Sequence, residues 1–200
     1  TFQAGMRFGY NSKFTHPVVP SFLMRWQPRS WDIKVGYAMG FRAPTLKELH
    51  FNFIDINHYI IGNPNLKSET SHSAYVSVDH PVKFGNEHRL DLGGKVFFNH
   101  INDQIVLSTF APVQFNYQNL SRFQSFGYNA EVNYTFSDRL SVQSGFAMTW
   151  ISSKFSEEEE AEPLTEQMEW QNKLRFRIPV IEANLVVNQR FLGRRQFFYE

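Results

Sequence analysis

The side chains able to do chemistry collect in one stretch, Gly40 to Glu69, which reads GFRAPTLKELHFNFIDINHYIIGNPNLKSE. It holds Arg42, His50 and His58 together with the carboxylates Glu48 and Glu69. A guanidinium grips an anion through parallel N–H groups, and a carboxylate of its own chain serves as well as one on a ligand. Arg42 therefore reads either as the contact for an anionic ligand or as a structural clamp on Glu48 or Glu69. His50 and His58 each offer a neutral imidazole near pH 7, or are ordinary polar loop residues. Pro44 and Pro64 fix their own φ and push Ala43 and Asn63 toward extended conformations, which stiffens both ends. Thr45, followed three residues later by Glu48, predicts a capped helical turn over Thr45 to Leu49. With an aromatic-rich interior between these ends, the stretch has the character of a shaped binding loop.

Elsewhere the chemistry is thin. His72, His80, His88 and His100 have no partner at i, i+2 or i, i+4 spacing and read as structural or interfacial, so no metal site is assigned. The absence of cysteine removes disulfides, thiolate metal sites and thiol nucleophiles. No GxSxG elbow, HExxH pair or glycine-rich phosphate loop occurs, and nothing fixes Ser, His and Asp at a catalytic spacing; the chain is not read as an enzyme. A formal net charge of +1 over 200 residues carries no footprint of nucleic-acid binding. The four glutamates Glu157 to Glu160 read as a solvated loop run or as a site for a divalent cation.

Strands must hold the loop. Phe2, Ala4, Met6, Phe8 and Tyr10 alternate with small or polar residues, the period-two signature of a strand with one apolar face. The same pattern recurs over Val18 to Trp26, Trp31 to Phe41, Ala74 to Val82, Leu90 to Phe98 with an extension open through Ile105 to Leu107 into the irregular Phe110 to Ser121, Phe126 to Phe136, Leu140 to Trp150 and Trp170 to Ile178. A ninth strand is predicted over Ala183 to Leu192. Their connections alternate in length: 11–17, 42–68, 102–124 and 152–168 are longer, whereas 27–30, 84–88, 137–139 and 179–182 are short. In an up-and-down barrel every second connection emerges at the same rim, so one rim would carry tight turns and the other large loops.

Twenty-one phenylalanines stand beside a mean hydropathy of −0.39, a combination produced by a barrel with an apolar outside and a wet inside. The sequence has no run of eighteen apolar residues, which excludes a transmembrane helix but not a transmembrane barrel, whose signal is alternation. Arg25, Lys34, Arg89, Lys95, Glu131, Lys173 and Arg175 share the polar face, and in a barrel that face must line the lumen. Trp26, Trp31, Tyr134, Phe136, Trp150 and Trp170 stand near strand ends, where interfacial girdles belong. A soluble β-sandwich also buries one face per strand, but does not require the loops to segregate by length.

Phe41-Arg42-Ala43-Pro44 and Asn63-Pro64-Asn65-Leu66, at this spacing, resemble the FRAP and NPNL boxes of TonB-dependent outer-membrane receptors. The resemblance implies an all-β, antiparallel, up-and-down transmembrane β-barrel of about 22 strands, of which these nine segments are a part. Residues 1–200 are then expected to be a partial barrel domain, with the N-terminal plug, the early strands and the last strands lying elsewhere. Resemblance to the family further implies the outer membrane of a Gram-negative bacterium, and import of a scarce ligand of the haem, siderophore or cobalamin type. The implied partners are outer-membrane lipid, that small-molecule ligand, and the TonB energy-transducing complex acting through the plug. Family members that take up haem have a histidine between the two boxes, which makes His50 and His58, with Arg42, the ligand-binding candidates. Haem would be a transported ligand, with no permanently bound cofactor. The alternatives are a small self-contained porin- or adhesin-like barrel and a soluble β-sandwich binding module.

Overall fold

The computed structural model describes residues 1–56, 59–154, 156 and 164–193, without the side chain of Phe110. Alternation along the chain becomes one sheet. Nine strands pair in the order β1 (Phe2–Arg7), β2 (Val19–Trp26), β3 (Asp32–Arg42), β6 (Glu69–Phe84), β7 (His88–Ala111), β8 (Gln114–Phe136), β9 (Leu140–Lys154), β10 (Thr165–Ile178) and β11 (Ala183–Leu192). Each pairs antiparallel with the next along this path. Helix α1 (Leu46–His50) and two short strands, β4 (Asn52–Ile54) and β5 (Tyr59–Ile61), lie within the connection from β3 to β6. The nine-strand wall and its up-and-down topology are thus as the alternation predicts.

The register sorts side chains by face. Tyr37, Ala74, Phe98, Phe126 and Trp150 stand in one row across five strands, and Val35, Val76, Val96, Tyr128 and Met148 in the next. The charged set occupies the other face, where Lys34 stands opposite Ser77 and Ser77 opposite Lys95. Ion pairs knit that face together: Arg25 with Asp32, and Lys34 with both Asp32 and Asp79. On the apolar side about ten residues per strand, such as Phe126 to Phe136, give a band about 25 Å tall once the strand tilt is allowed for. Trp31 stacks on His80 with ring centroids 4.2 Å apart, and Phe126 on Trp150 at 5.3 Å, near opposite ends of the strands. Trp170, expected in a girdle, instead lies well inside β10 between Phe146 and Phe191. Gly36 lets the sheet accept a large neighbour, since a Cβ there would fall on the Tyr75 ring, which also carries the Lys95 ammonium 4.7 Å from its centroid.

One expected long loop is absent. Residues 102–124 continue β7 and β8 as a hairpin closed at Pro112 and Val113, with Ala111 opposite Gln114. The turn places Val113 at φ 61, a left-handed conformation that strains a β-branched residue. Asp103 is also left-handed, at φ 52, just beyond Asn102, where the pairing of β7 with β6 ends. The first strand is also shorter than predicted, ending at Arg7. Few side chains are buried: among the described residues the buried hydrophobics are Val19, Leu49, Leu66, Ile105 and Leu120. Leu49, Leu66 and Ile105 form one cluster, with Phe14 and Tyr117 packed against it. That cluster belongs to the loop and the hairpin above the wall.

Candidate functional site

The end of β3 sets the site. Arg42 is the last residue of β3 and stands opposite Glu69, the first of β6, so register alone brings their side chains together. Arg42 Nε donates to Glu69 Oε2 at 2.7 Å and Nη2 to Glu69 Oε1 at 2.8 Å, a bidentate pair. Its remaining arm, Nη1, donates to both oxygens of Glu48 at 2.8 and 3.0 Å. Both carboxylates are mostly covered, whereas the guanidinium is 40% exposed.

Glu48 arrives there because α1 starts where the sequence says it should. Thr45 caps the helix, accepting the Glu48 N–H at 3.2 Å, while Glu48 Oε2 accepts the Thr45 N–H at 2.7 Å and its hydroxyl at 2.9 Å. Burial works to raise the Glu48 carboxyl; the bonds from Thr45 and Arg42 outweigh it and hold the group below its ordinary value of 4.5. Leu49, on the helix face turned from solvent, drops into the cluster with Leu66 and Ile105. Phe41 is covered by the His16 ring, 4.4 Å away between centroids.

The second box closes onto the first. Asn63 N–H donates to the Glu48 carbonyl at 2.8 Å, and its side-chain Oδ1 accepts the Asn65 N–H at 2.9 Å, forming the turn that carries Pro64. Gly62 passes against the helix end, where a Cβ would lie 2.7 Å from the His50 nitrogen and 2.8 Å from the Leu49 carbonyl carbon. No side chain fits. Leu66 then inserts into the cluster.

The hairpin of β7 and β8 supplies the back of the site. Glu69 Oε1 accepts the Ile105 N–H, and Asn63 Nδ2 donates to the Tyr117 carbonyl at 2.9 Å. Asn119 is the hub: it accepts the Lys67 N–H through Oδ1 and donates through Nδ2 to the carbonyls of Lys67 and Asp103. At the far end β5 pairs parallel with β8, Tyr59 opposite Gln114 through Ile61 opposite Asn116, on the edge that β9 leaves open above Arg122. The Tyr59 N–H donates to the carbonyl of Val113 at 2.7 Å.

Of the three ligand candidates, Arg42 sits at the centre of the two boxes and faces both carboxylates, while His50 ends α1 with its side chain exposed. His58 and Glu157 to Glu160 lie outside the described residues. Apolar residues near His50 in the chain are exposed: Leu46, Phe51, Phe53, Ile54 and Ile56, with the Phe51 and Phe53 rings parallel within 7°. Among the described residues no group of three potential metal ligands converges. Ile105, Tyr117 and Asn119, which complete the site, were not legible from the boxes. The alternation of Phe115 and Tyr117 with Gln114, Asn116 and Gln118 was the signal that could have found their strand.

Several comparisons bear on this arrangement. The backbone superposes on the hemophore receptor HasR of Serratia marcescens, solved with its hemophore HasA and heme, with TM-score 0.69 at 15% identity over 89% of this chain. It also matches the FrpB iron transporter of Neisseria meningitidis (TM-score 0.62, 15% identity, 87% of this chain) and the siderophore receptor PirA of Pseudomonas aeruginosa (0.54, 19%, 82%). The chain spans 32%, 26% and 34% of those three chains, about a quarter to a third of their length. At such identities the likeness is one of fold. A search of curated protein sequences finds no match. The profile of TonB dependent receptor-like β-barrels matches residues 1–185, and on that span the chain belongs to the TonB-dependent receptor β-barrel family.

Proposed function

We propose that this chain forms part of the wall and mouth of an outer-membrane import receptor in a Gram-negative bacterium, and that residues 43–68 help receive its ligand. Proteins of this family are transporters rather than enzymes. The observation that carries the reading is the junction of the two boxes at Arg42, which locks the base of the loop to β3, β6 and the β7–β8 hairpin. A receptor needs such a base, because a ligand is recognised only when the surface that meets it is held in shape.

In this reading Arg42 acts as a clamp, and His50 and His58 are the ligand contacts. Haem is the first ligand to test: His50 is exposed and precedes the exposed Phe51 and Phe53 in the chain, and an imidazole on an aromatic-rich segment suits an iron porphyrin. A ferric siderophore is the second, since one structure of this fold is a siderophore receptor. Energy from the TonB complex, delivered through a plug, belongs to the same proposal. Titrating haem into the complete receptor and following the Soret band tests the ligand assignment. The expected result is a shifted band in the wild type that weakens in the His50→Ala/His58→Ala double variant. Identical spectra would remove both histidines, and tight uptake of a ferric siderophore without any Soret change would favour the second ligand.

A further inference from the structure

The polar face takes the strand cations, with two exceptions. By register Lys34, Lys95, Lys173 and the other lysines and arginines of the nine strands stand on that face. Among the described strand residues only Arg122 on β8 and Lys154 on β9 stand on the apolar face, and they are direct partners across the two strands. They lie two rows above Phe126 and Trp150, with Gln124 and Ser152 between. The opposite end of the same face closes on Phe84, His88, Phe136 and Leu140, without a lysine or arginine. Like charges directly opposite repel, and a cation on the lipid side is tolerated only near the interface. The groups beside Arg122 are set to donate. His100 accepts from Gln124 Nε2 at 3.0 Å through Nδ1 and donates through Nε2 to Asn102 Oδ1 at 2.9 Å. Asn102 stands opposite Arg122, and this bond leaves its Nδ2 as a donor. Among the described residues no ion pair or side-chain hydrogen bond holds the Arg122 guanidinium. The acid on this face, Glu166, stands in the Trp150 row and accepts the indole N–H at 3.1 Å.

We propose that Arg122 and Lys154, with Asn102, bind the phosphate of an outer-leaflet lipid headgroup. The proposal rests on the receptor standing in an outer membrane with its long loops outward. An arginine fork takes two phosphate oxygens, and the ammonium and the amide reach a third. The anion also relieves the repulsion between the two cations. Height commits the site to lipid: the Phe126 and Trp150 rings mark the interface, and two rows further up is about 10 Å once strand tilt is allowed for. That is the level of headgroups, above the acyl chains and below open water. Sidedness agrees, because the outward cations occur at the long-loop rim, where a Gram-negative outer membrane carries phosphorylated glycolipid.

The test uses the complete receptor in detergent, with lipid A as the probe and native mass spectrometry as the readout. The wild type is expected to retain lipid A and to release the same glycolipid once its phosphates are removed. Arg122→Gln/Lys154→Gln should weaken retention about thirtyfold, whereas Lys173→Gln, a cation of the polar face, should leave it unchanged. Equal retention of the two glycolipids by the wild type overturns the site, and needs no variant to fold. An unchanged double variant overturns it too, and so does ready displacement of lipid A by inorganic phosphate, which would make this a site for a free anion. The membrane reading is tested separately with Val35→Cys, on the apolar face of β3, in a background free of other cysteines and in phosphatidylcholine vesicles. A maleimide confined to water should not label it. Labelling would overturn the membrane reading itself, whereas a protected Val35→Cys with no lipid A retained by the wild type overturns the phosphate site alone.

Discussion

The wall and the structure above it are stabilised in opposite ways. Along β1–β3 and β6–β11 the large apolar side chains stay open, with Val96 55% exposed and Trp170 47%, as the lipid-facing wall of the proposed receptor requires. The loop and the hairpin have a small dry cluster of Leu49, Leu66 and Ile105, a capped helix and a charged clamp, the devices of a protein that folds in water. The same chain therefore changes solvent at about Arg42, Glu69 and Asp103. Sidedness is what each region protects: lipid against lumen in the wall, buried against wet above it.

The sharpest way to break this contrast is to put a charge on the outward side. Val96→Arg is expected to destabilise the complete receptor in lipid by about 2–4 kcal/mol, read from denaturant unfolding in vesicles. Lys95→Leu, one residue away but facing inward, should lose about 0.5–1 kcal/mol with its contact to Tyr75. Equal effects would mean that the two faces are not in different media.

Arg42→Ala probes the other region. It leaves Glu48 and Glu69 facing each other without a cation, and with the guanidinium partly exposed the expected loss is about 2 kcal/mol, below that of a fully buried pair. Hydrogen exchange should find amides of residues 43–68 about thirtyfold less protected while those of β9 and β10 stay unchanged. A uniform loss across both regions would merge them into one cooperative unit.

Acid gives the smallest of the three effects. Because Glu48 is held below 4.5 in the folded loop, its contribution is complete above that pH and disappears as the pH falls through the lowered value. Exchange of the α1 amides should quicken in that window in the wild type. In Glu48→Gln the acid-dependent part of that change should be missing.

The two media also decide what could be read from the sequence. Lipid demands apolar residues at every second position, so Phe126 to Phe136 and Leu140 to Trp150 announce their strands without help. The helix start was legible because Thr45 and Glu48 act locally. Residues 102–124 were not, and the reason is a change of phase. On β8 the even-numbered residues Phe126 and Tyr128 stand on the apolar outer face, but higher up the odd-numbered Tyr117 packs on the loop cluster. No lipid enforces the old alternation there, and the run looks irregular. Ile105 and Asn119 were invisible as site residues because they reach Glu69 and Lys67 across 36 and 52 residues of sequence.

The seam between β5 and β8 is only three residues long and parallel, whereas the root of the same loop is riveted by a guanidinium between two carboxylates. Under any pull on the loop tip, the seam gives way long before the root. A pull on the loop is therefore expected to peel it from one edge, as a flap from a fixed hinge, and to leave the strands beneath it undisturbed.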